Sequence, residues 1–352
     1  MRILIDIGHP AHVHYFRNFY KVMSEKGHHF LITARKKESS QELLKSYNIP
    51  YIDRGTGSNS SIGKLLYLTR ANYFLLKNAL SFKPDLFMSF SSPYAAQVSS
   101  ILRKPHIALD DTEHARLGRI LYRPFTEVVL SPNSYKGSIS KKQKLFNGFL
   151  ELLYLRPDYF TPNPQVLSNV DIEPGETFSF LRFVSWNANH DFGMKGISIE
   201  NKRRVVKELS LFGKVLISSE NELPPDLQTY QININPSEVH HILHYASLVF
   251  GESATMASES AVLGTPAIFI DNVGRGYTDE LEKTYGLVYN FQESSEGQEN
   301  AIRKAVEIME SAESSQQLYQ QRRKQLLEET IDVNRFLSET VERVVNNYNQ
   351  NP

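Results

Sequence analysis

Short apolar runs alternate along this chain with stretches whose apolar residues recur at every third or fourth position. Residues 3–7 predict a first strand, and Phe16, Phe19, Tyr20 and Met23 fall on one side of a helix expected to start at His14. Residues 30–33, 86–89 and 107–109 predict further strands, and 127–130 is expected to close the sheet. This alternation predicts a doubly wound parallel sheet. Crossovers in such sheets are right-handed, so the loops after the strand C-ends collect on one edge. The pattern places His9, His12, Ser91, Ser92, Asp110, Asp111 and Glu113 on that edge.

Residues 156–174 hold four prolines and little periodicity, and they read as an interdomain connection. Alternation then resumes, with strands expected at 178–184 and 215–218 and helices at 200–211 and 238–245. Residues 245–270, YASLVFGESATMASESAVLGTPAIFI, divide into strand (247–250), turn, helix (256–263) and strand (267–270). Gly264 supplies a left-handed stop and Pro266 blocks resumption of the helix. From 299 onward the chain reads as helical. The expected organisation is one Rossmann-like domain at 1–165, a second at 175–330, and a terminal helix at 331–352.

Composition narrows the classes. The chain has 352 residues and no cysteine, which suits two α/β domains and excludes disulfide and thiolate chemistry. Residues 1–7 begin as a strand, and Asp6 interrupts any signal-peptide core. The most lipophilic region, 64–82, contains Arg70 and Lys77 and is no spanning helix. These features lead us to expect a cytoplasmic protein. The balanced net charge hides a polarity, with 23 Lys and Arg against 12 Asp and Glu up to Gln165, and 16 against 27 beyond it. The basic half should face something anionic, and the acidic half should not meet nucleic acid. No acidic residue occurs from Gly55 to Pro84, so this segment suits peripheral contact with an anionic membrane at its inner face, although a packing helix with snorkelling cations is the commoner arrangement. Oligomeric state is left open.

Three groups of residues carry candidate chemistry. His9, His12 and His14 follow the first strand. Their spacing matches no zinc signature, so a base or phosphate-contacting role for His9 or His12 is preferred to metal, with helix capping an equal alternative. Asp110, Asp111 and Glu113 crowd three carboxylates into four residues, an arrangement that raises pKa values and suits acid–base work. Capping of a helix by Asp111 or Thr112, with Glu113 in its first turn, explains only part of that group. In the 245–270 stretch, small residues before a helix start leave amide N–H groups suited to a diphosphate, and Glu259 one turn later suits ribose hydroxyls. The same turn also reads as an ordinary crossover capped by Ser253 or Thr255. Arg182 at a strand end is a candidate diphosphate clamp. His190 and Asp191 in the following loop either reach a ligand or only form a turn, His240, His241 and His244 on one helix read as core-edge or nucleotide-lining residues, and Gly274-Arg275-Gly276 reads as a flexible loop.

The segment Ser253-Ala254-Thr255-Met256 through Glu259 to Leu263-Gly264-Thr265-Pro266 resembles the donor-binding segment of GT-B nucleotide-sugar enzymes. It is similar to both the non-hydrolysing UDP-N-acetylglucosamine 2-epimerases and the peptidoglycan N-acetylglucosaminyltransferase. The chain as a whole resembles the prokaryotic domain-of-unknown-function 354 family through DIGHPAHVHYF, DDTEHA and GESATMASESAVLGTPA. The resemblance implies a GT-B-like α/β fold, two Rossmann-like parallel-sheet domains facing an interdomain cleft. It assigns Ser253, Ala254, Thr255 and Met256 to diphosphate and Glu259 to ribose, although the family's Gly pair is replaced here by Glu252-Ser253-Ala254. Glu113 would be the counterpart of the epimerase's catalytic Glu. The epimerase's Gly-Asp-Thr corresponds to Phe90-Ser91-Ser92-Pro93, which lacks the carboxylate. A metal-independent glycosyltransferase is therefore expected, with nucleotide-sugar as donor, no other cofactor, and a glycan or lipid-linked acceptor in surface polysaccharide or glycoconjugate synthesis. Its catalytic residues would be drawn from His9, His12, Asp111 and Glu113. The alternatives are a UDP-sugar 2-epimerase-like isomerase, a metal-dependent hydrolase on His12, His14 and Asp111, and a non-catalytic nucleotide-sugar-binding protein.

Overall fold

The computed structural model describes residues 1–37, 39–57, 61–114, 116–184 and 196–350. The chain divides into two compact units, Met1–Tyr154 with Ile331–Pro352, and Leu155–Thr330.

The first unit runs β1 (Arg2–Ile7), α1 (Pro10–Glu25), β2 (His29–Ala34), α2 (Ser40–Ser46), β3 (Ile52–Asp53), α3 (Ser61–Phe82), β4 (Leu86–Phe90), α4 (Pro93–Ile101), β5 (His106–Leu109), α5 (Arg116–Tyr122), a 3-10 turn (Arg123–Phe125), β6 (Val128–Pro132), β7 (Gln143–Phe146) and α6 (Leu152–Leu155), the last crossing into the second unit. Its seven strands pair in the order β3-β2-β1-β4-β5-β6-β7, all parallel. The central strands are apolar on both faces, as burial between two helical layers requires, and Ile3, Leu4, Ile5, Phe87 and Met88 are fully buried. Residues 127–130 do not close this sheet. β7 does, an edge strand whose QKLF sequence is half polar because one side lacks a neighbour.

Helix α1 starts at Pro10 rather than His14. Proline suits the first helical position, because its fixed φ is already helical and its missing N–H would have no partner there. His9 is the cap, and His14 lies inside the helix, buried and stacked on Tyr154 at 5.2 Å.

The second unit contains a 3-10 helix (Pro164–Val170), β8 (Phe178–Phe183), α7 (Ile199–Leu209), β9 (Lys214–Ser219), α8 (Pro225–Gln228), α9 (Val239–Tyr245), β10 (Leu248–Gly251), α10 (Ala254–Leu263), β11 (Ala267–Ile270), α11 (Gly276–Lys283), β12 (Val288–Phe291), α12 (Ser295–Glu310) and α13 (Ala312–Glu329). Five parallel strands pair in the order β12-β11-β10-β8-β9. Within residues 156–174, Phe160 stacks on His241 of α9 at 4.8 Å, so the proline-rich segment packs onto this unit. The last helix, α14 (Val333–Gln350), belongs to the first unit. Phe336 meets Phe146, Lys26 directly after α1 pairs with Glu342 at 3.5 Å, and Asn334 donates to the Leu153 carbonyl.

Candidate functional site

In each sheet the strand order reverses once, between β1 and β4 in the first unit and between β8 and β10 in the second. Loops leaving the strand C-ends diverge at such a switch point and open a crevice there, where open α/β sheets bind ligands.

At the first switch point the loop after β1 carries the histidines. The His9 Nδ1 accepts from the Ala11 amide at 3.3 Å, and the His12 Nδ1 accepts from the Gly8 amide at 3.2 Å. An Nδ1 that accepts puts the proton of a neutral ring on Nε2. The His12 ring lies among Phe90 (4.7 Å), His9 (5.8 Å) and Tyr15 (6.3 Å). Burial, then the neighbouring His9 and Lys37, hold its pKa well below the usual histidine value. Both imidazoles are therefore arranged as neutral N–H donors, which fits contact with an oxygen anion better than proton abstraction.

Beside them, Ser91 adopts a left-handed φ of 50° after β4, a conformation that costs energy for any residue but glycine. Ser92 caps α4 by accepting from the Ala95 amide and donates to Asp6 Oδ2 at 2.6 Å. Asp6 also accepts from Thr33 Oγ1 (2.8 Å) and from Arg54 Nε (3.0 Å) and Nη2 (3.2 Å), while Arg54 Nη1 donates to the Tyr67 hydroxyl. All of these side chains are buried or nearly so. The carboxylate that residues 91–92 lack is thus present from the adjacent strand, but it is neutralised by a guanidinium.

The run from Asp110 to His114 caps no helix, since α5 begins only at Arg116. Each of its carboxylates has a hydrogen-bond donor of its own. Asp110 turns inward, accepting from the Thr112 amide at 2.9 Å and from the Tyr122 hydroxyl. Burial raises its pKa against the pull of those hydrogen bonds. Asp111 accepts from the Thr112 hydroxyl at 3.1 Å. The Glu113 Oε1 accepts from the Lys136 amide at 3.2 Å, and Arg119 donates to its carbonyl at 3.0 Å. The upward shift of Asp110 thus comes from burial, and Tyr122, twelve residues on, opposes it. Residues two apart on a helix point to nearly opposite sides, which separates His12 from His14. Among the described residues no group of three or more His, Asp or Glu side chains is placed to hold a metal ion.

At the second switch point Gly251 ends β10, where a Cβ would stand 2.0 Å from the Arg182 carbonyl oxygen. Ser253 then caps α10, its Oγ accepting from the Met256 amide at 3.3 Å, and Gly264 ends the helix at φ 85°. Thr255 lies within the first turn. From Ala257 to Leu263 every residue of α10 is buried, whereas Ser253, Ala254, Thr255 and Met256 are partly open. The residues assigned to diphosphate are thus the ones that reach the surface, at the positive end of the helix dipole. Glu259 is buried, with Oε1 2.8 Å from Nε2 of His240. Arg182 donates to Ser218 Oγ at 2.9 Å and pairs with Glu220, so its guanidinium is already matched by a carboxylate. His241 accepts from the Asn163 amide, burial lowers the His244 pKa, and Arg275 binds Asp271 and the Gly274 carbonyl just before α11. His190 and Asp191 lie outside the described residues.

Sequence patterns missed the residue that organises this point. Glu252 is buried, and its carboxylate accepts from the amides of Val184 (3.0 Å) and Ile197 (2.5 Å), with Lys202 at 3.9 Å. It ties the two ends of the β8–α7 connection to the start of α10. The available signal was one charged residue among small ones directly after a buried strand. Asp6 carried a similar signal, an acid inside an apolar strand, but its partner Arg54 is 48 residues away.

The model of the family described as "Protein of unknown function (DUF354)" matches residues 1–274. An uncharacterized protein of Methanocaldococcus jannaschii is 22% identical over 277 residues, which are 76% of this chain and 80% of that protein. Among solved structures, the Neisseria meningitidis UDP-GlcNAc 2-epimerase bound to UDP-GlcNAc is similar at a TM-score of 0.67 and 12% identity, over 97% of this chain and 100% of that one. The Methanocaldococcus jannaschii UDP-GlcNAc 2-epimerase in complex with UDP-GlcNAc and UDP is similar at 0.62 and 15%, over 87% and 93%. The spinosyn rhamnosyltransferase SpnG complexed with spinosyn aglycone is similar at 0.61 and 12%, over 97% and 100%. The fold is GT-B-like, with two Rossmann-like parallel-sheet units.

Proposed function

The chain belongs to the DUF354 family, and we propose that it is a metal-independent, nucleotide-sugar-dependent glycosyltransferase. The observation that carries this reading is the α10 N-terminus at a topological switch point, open only at Ser253–Met256 on a helix otherwise buried. Its amides and dipole suit the diphosphate of a donor. Glu259, buried and held by His240, accepts from ribose hydroxyls only where that contact opens to the ligand. Arg182 reaches the diphosphate only by giving up Glu220. The binding of UDP-GlcNAc or UDP by two of the similar structures supports a donor of this chemical class.

In the first unit Glu113 is the preferred base, with Asp111 beside it, and the Nε2–H groups of His9 and His12 are donors to oxygen. The acceptor hydroxyl oxygen forms a bond to the anomeric carbon as the bond from that carbon to the diphosphate oxygen breaks. The hydroxyl proton passes to the base, and the nucleoside diphosphate leaves with the bonding pair. A glycan or lipid-linked acceptor fits the basic composition of this half.

The second reading, 2-epimerisation, needs a proton removed from and returned to the sugar ring, and so several acid–base groups. Here Ser91 and Ser92 stand where a carboxylate is wanted, Asp6 is neutralised by Arg54, and both histidine Nδ1 atoms are engaged by amides. Incubation with a panel of nucleotide-sugars in heavy water separates the two. Transfer leaves the sugar free of deuterium and releases nucleoside diphosphate when an acceptor is supplied, and Glu113→Gln slows that release by about a hundredfold. Deuterium at the second carbon of the sugar without acceptor would establish the epimerase reading instead.

A further inference from the structure

Helix α3 turns an apolar stripe outward. Leu66, Tyr73 and Leu80 are 64%, 71% and 58% exposed, and their seven-residue spacing puts them on one side of the helix. Arg70 and Lys77, also exposed, fall between them on that side. The stripe therefore reads Leu, Arg, Tyr, Lys, Leu over about 21 Å of helix. The opposite side is already satisfied, because Leu75 and Ala79 are buried against Leu4, Phe87, Ala95 and Val98. These outward residues serve no core of their own unit.

The surface continues across the neighbouring helices. Asn72 donates to Gln97 at 2.6 Å and Gln97 to the Leu121 carbonyl at 3.2 Å, which ties α3, α4 and α5 into one layer. On that layer Ile101 and Ile120 are 61% and 62% exposed. Not one Asp or Glu occurs in α3, α4, α5 or the following 3-10 turn. Arg70, Lys77, Lys83 and Arg103 are exposed, and no ion pair engages them among the described residues. Exposed apolar side chains interspersed with cations, on joined helices that carry no acid, mark an interaction site rather than scattered surface residues. A second copy of the chain meeting it face to face would set cation against cation. An anionic lipid surface matches both its charge and its apolar stripe. Among the described residues no helix is long and apolar enough to cross a membrane, so contact of this kind lies along the surface.

We propose that the α3–α4–α5 face of the first unit docks on an anionic lipid bilayer. Leu66, Tyr73 and Leu80 enter the boundary between headgroups and acyl chains, and Arg70 and Lys77 pair with lipid phosphates. The proposal stands on this surface alone and does not depend on which reaction the protein catalyses.

The test is sedimentation of the full chain with vesicles of phosphatidylcholine, with and without phosphatidylglycerol, at low and high salt. Binding is expected only with phosphatidylglycerol and should fall as salt rises. Arg70→Gln with Lys77→Gln should weaken it about twenty-fivefold, at roughly fivefold for each charge. The triple change Leu66→Ser, Tyr73→Ser and Leu80→Ser should weaken it about tenfold or more, with an unchanged melting temperature. In a Tyr73→Trp variant, brominated acyl chains should quench fluorescence beyond the parent protein. Equal binding to neutral vesicles, or no binding to either, would overturn the proposal. So would a concentration-dependent dimer in solution that the triple change abolishes, since that would make the face a self-association surface.

Discussion

Each switch point holds a buried carboxylate, Asp6 within β1 in the first unit and Glu252 directly after β10 in the second, and the two are matched by different means. Asp6 is matched by a guanidinium and two hydroxyls, brought from β2, from the residue after β3 and from the start of α4. Glu252 accepts from the main-chain amides of Val184 and Ile197, with Lys202 more distant. A carboxylate held by side chains makes a rigid, net-neutral floor, on which the His9, His12 and Glu113 loops can present their own chemistry. A carboxylate held by amides instead fixes the ends of a chain segment. It leaves the neighbouring α10 amides for an anion. The comparison separates a crevice built for proton and oxygen contacts from one built around a helix terminus.

The largest effect should come from breaking the first of these. Arg54→Met leaves Asp6 buried without its cation and should cost about 3–5 kcal/mol, read as a fall in the melting temperature of the first unit. Adding Asp6→Asn should recover most of that loss, because the cost lies in the unpaired charge. A loss below about 1 kcal/mol for Arg54→Met would mean that water reaches the pair. Glu252→Gln should cost less, about 1–3 kcal/mol, since the amide keeps one acceptor and loses the other. Hydrogen exchange at the Val184 and Ile197 amides should quicken in that variant alone. Unchanged exchange at both would remove Glu252 as the tie between these segments.

What sequence could and could not show follows the same division. The unit β10–α10–β11 was readable because every instruction in it is local: an apolar run, a capping serine, a left-handed glycine and a proline. The fold class followed from repetition of that pattern. β7 escaped notice because an edge strand need bury only one side, and β3 because two residues carry no period. The start of α1 was misplaced because a histidine is an unusual cap. The inward turn of Asp110 depends on Tyr122, and the neutrality of Asp6 on Arg54, so neither has a local signature. Residues that reach solvent, such as Glu113 and Ser253–Met256, were identified as candidates from type and spacing. Contacts between side chains distant in sequence decided which of those candidates are already engaged.

Acid should weaken the first unit through its buried histidines. The His106 Nε2 faces Ser89 Oγ and its Nδ1 faces Thr126 Oγ1, each at 2.9 Å, and Thr126 itself donates to the Tyr122 carbonyl. Thr126 therefore accepts from Nδ1–H, and burial pushes the pKa of the ring down to about 3 from 6.5, which keeps it neutral near pH 7. With the folded value depressed, the unfolded chain takes the proton first, so stability is full above about pH 6.5 and declines toward pH 3. The loss should reach about 2 kcal/mol at pH 5. His12 adds to it in the same direction. Asp110, with a raised folded pKa, works in the opposite sense over the lower part of the range. A His106→Gln variant should be less stable at neutral pH but should lose less on acidification. Equal acid sensitivity in variant and parent would assign the effect to other groups.

The smallest effect gives the sharpest view of the α10 terminus. Ser253 Oγ occupies the Met256 amide at 3.3 Å, so one of the amides assigned to diphosphate is already partnered. Two roles are open to this hydroxyl, as a cap that an incoming phosphate replaces or as a ligand that stays. Ser253→Ala should cost about 1 kcal/mol of stability and Ser253→Gly only a few tenths, because glycine lets water reach the amides. If the hydroxyl is a replaceable cap, Ser253→Gly should bind a nucleoside diphosphate within about threefold of the parent, since the released Met256 amide offsets the lost oxygen. Calorimetry with UDP, GDP and dTDP on parent and both variants reads stability and affinity on the same samples. A loss of about tenfold or more in both variants would make Ser253 a diphosphate ligand in its own right. Affinity retained in Ser253→Gly but reduced in Ser253→Ala would show that the helix amides, presented by a well-formed first turn, are what hold the anion.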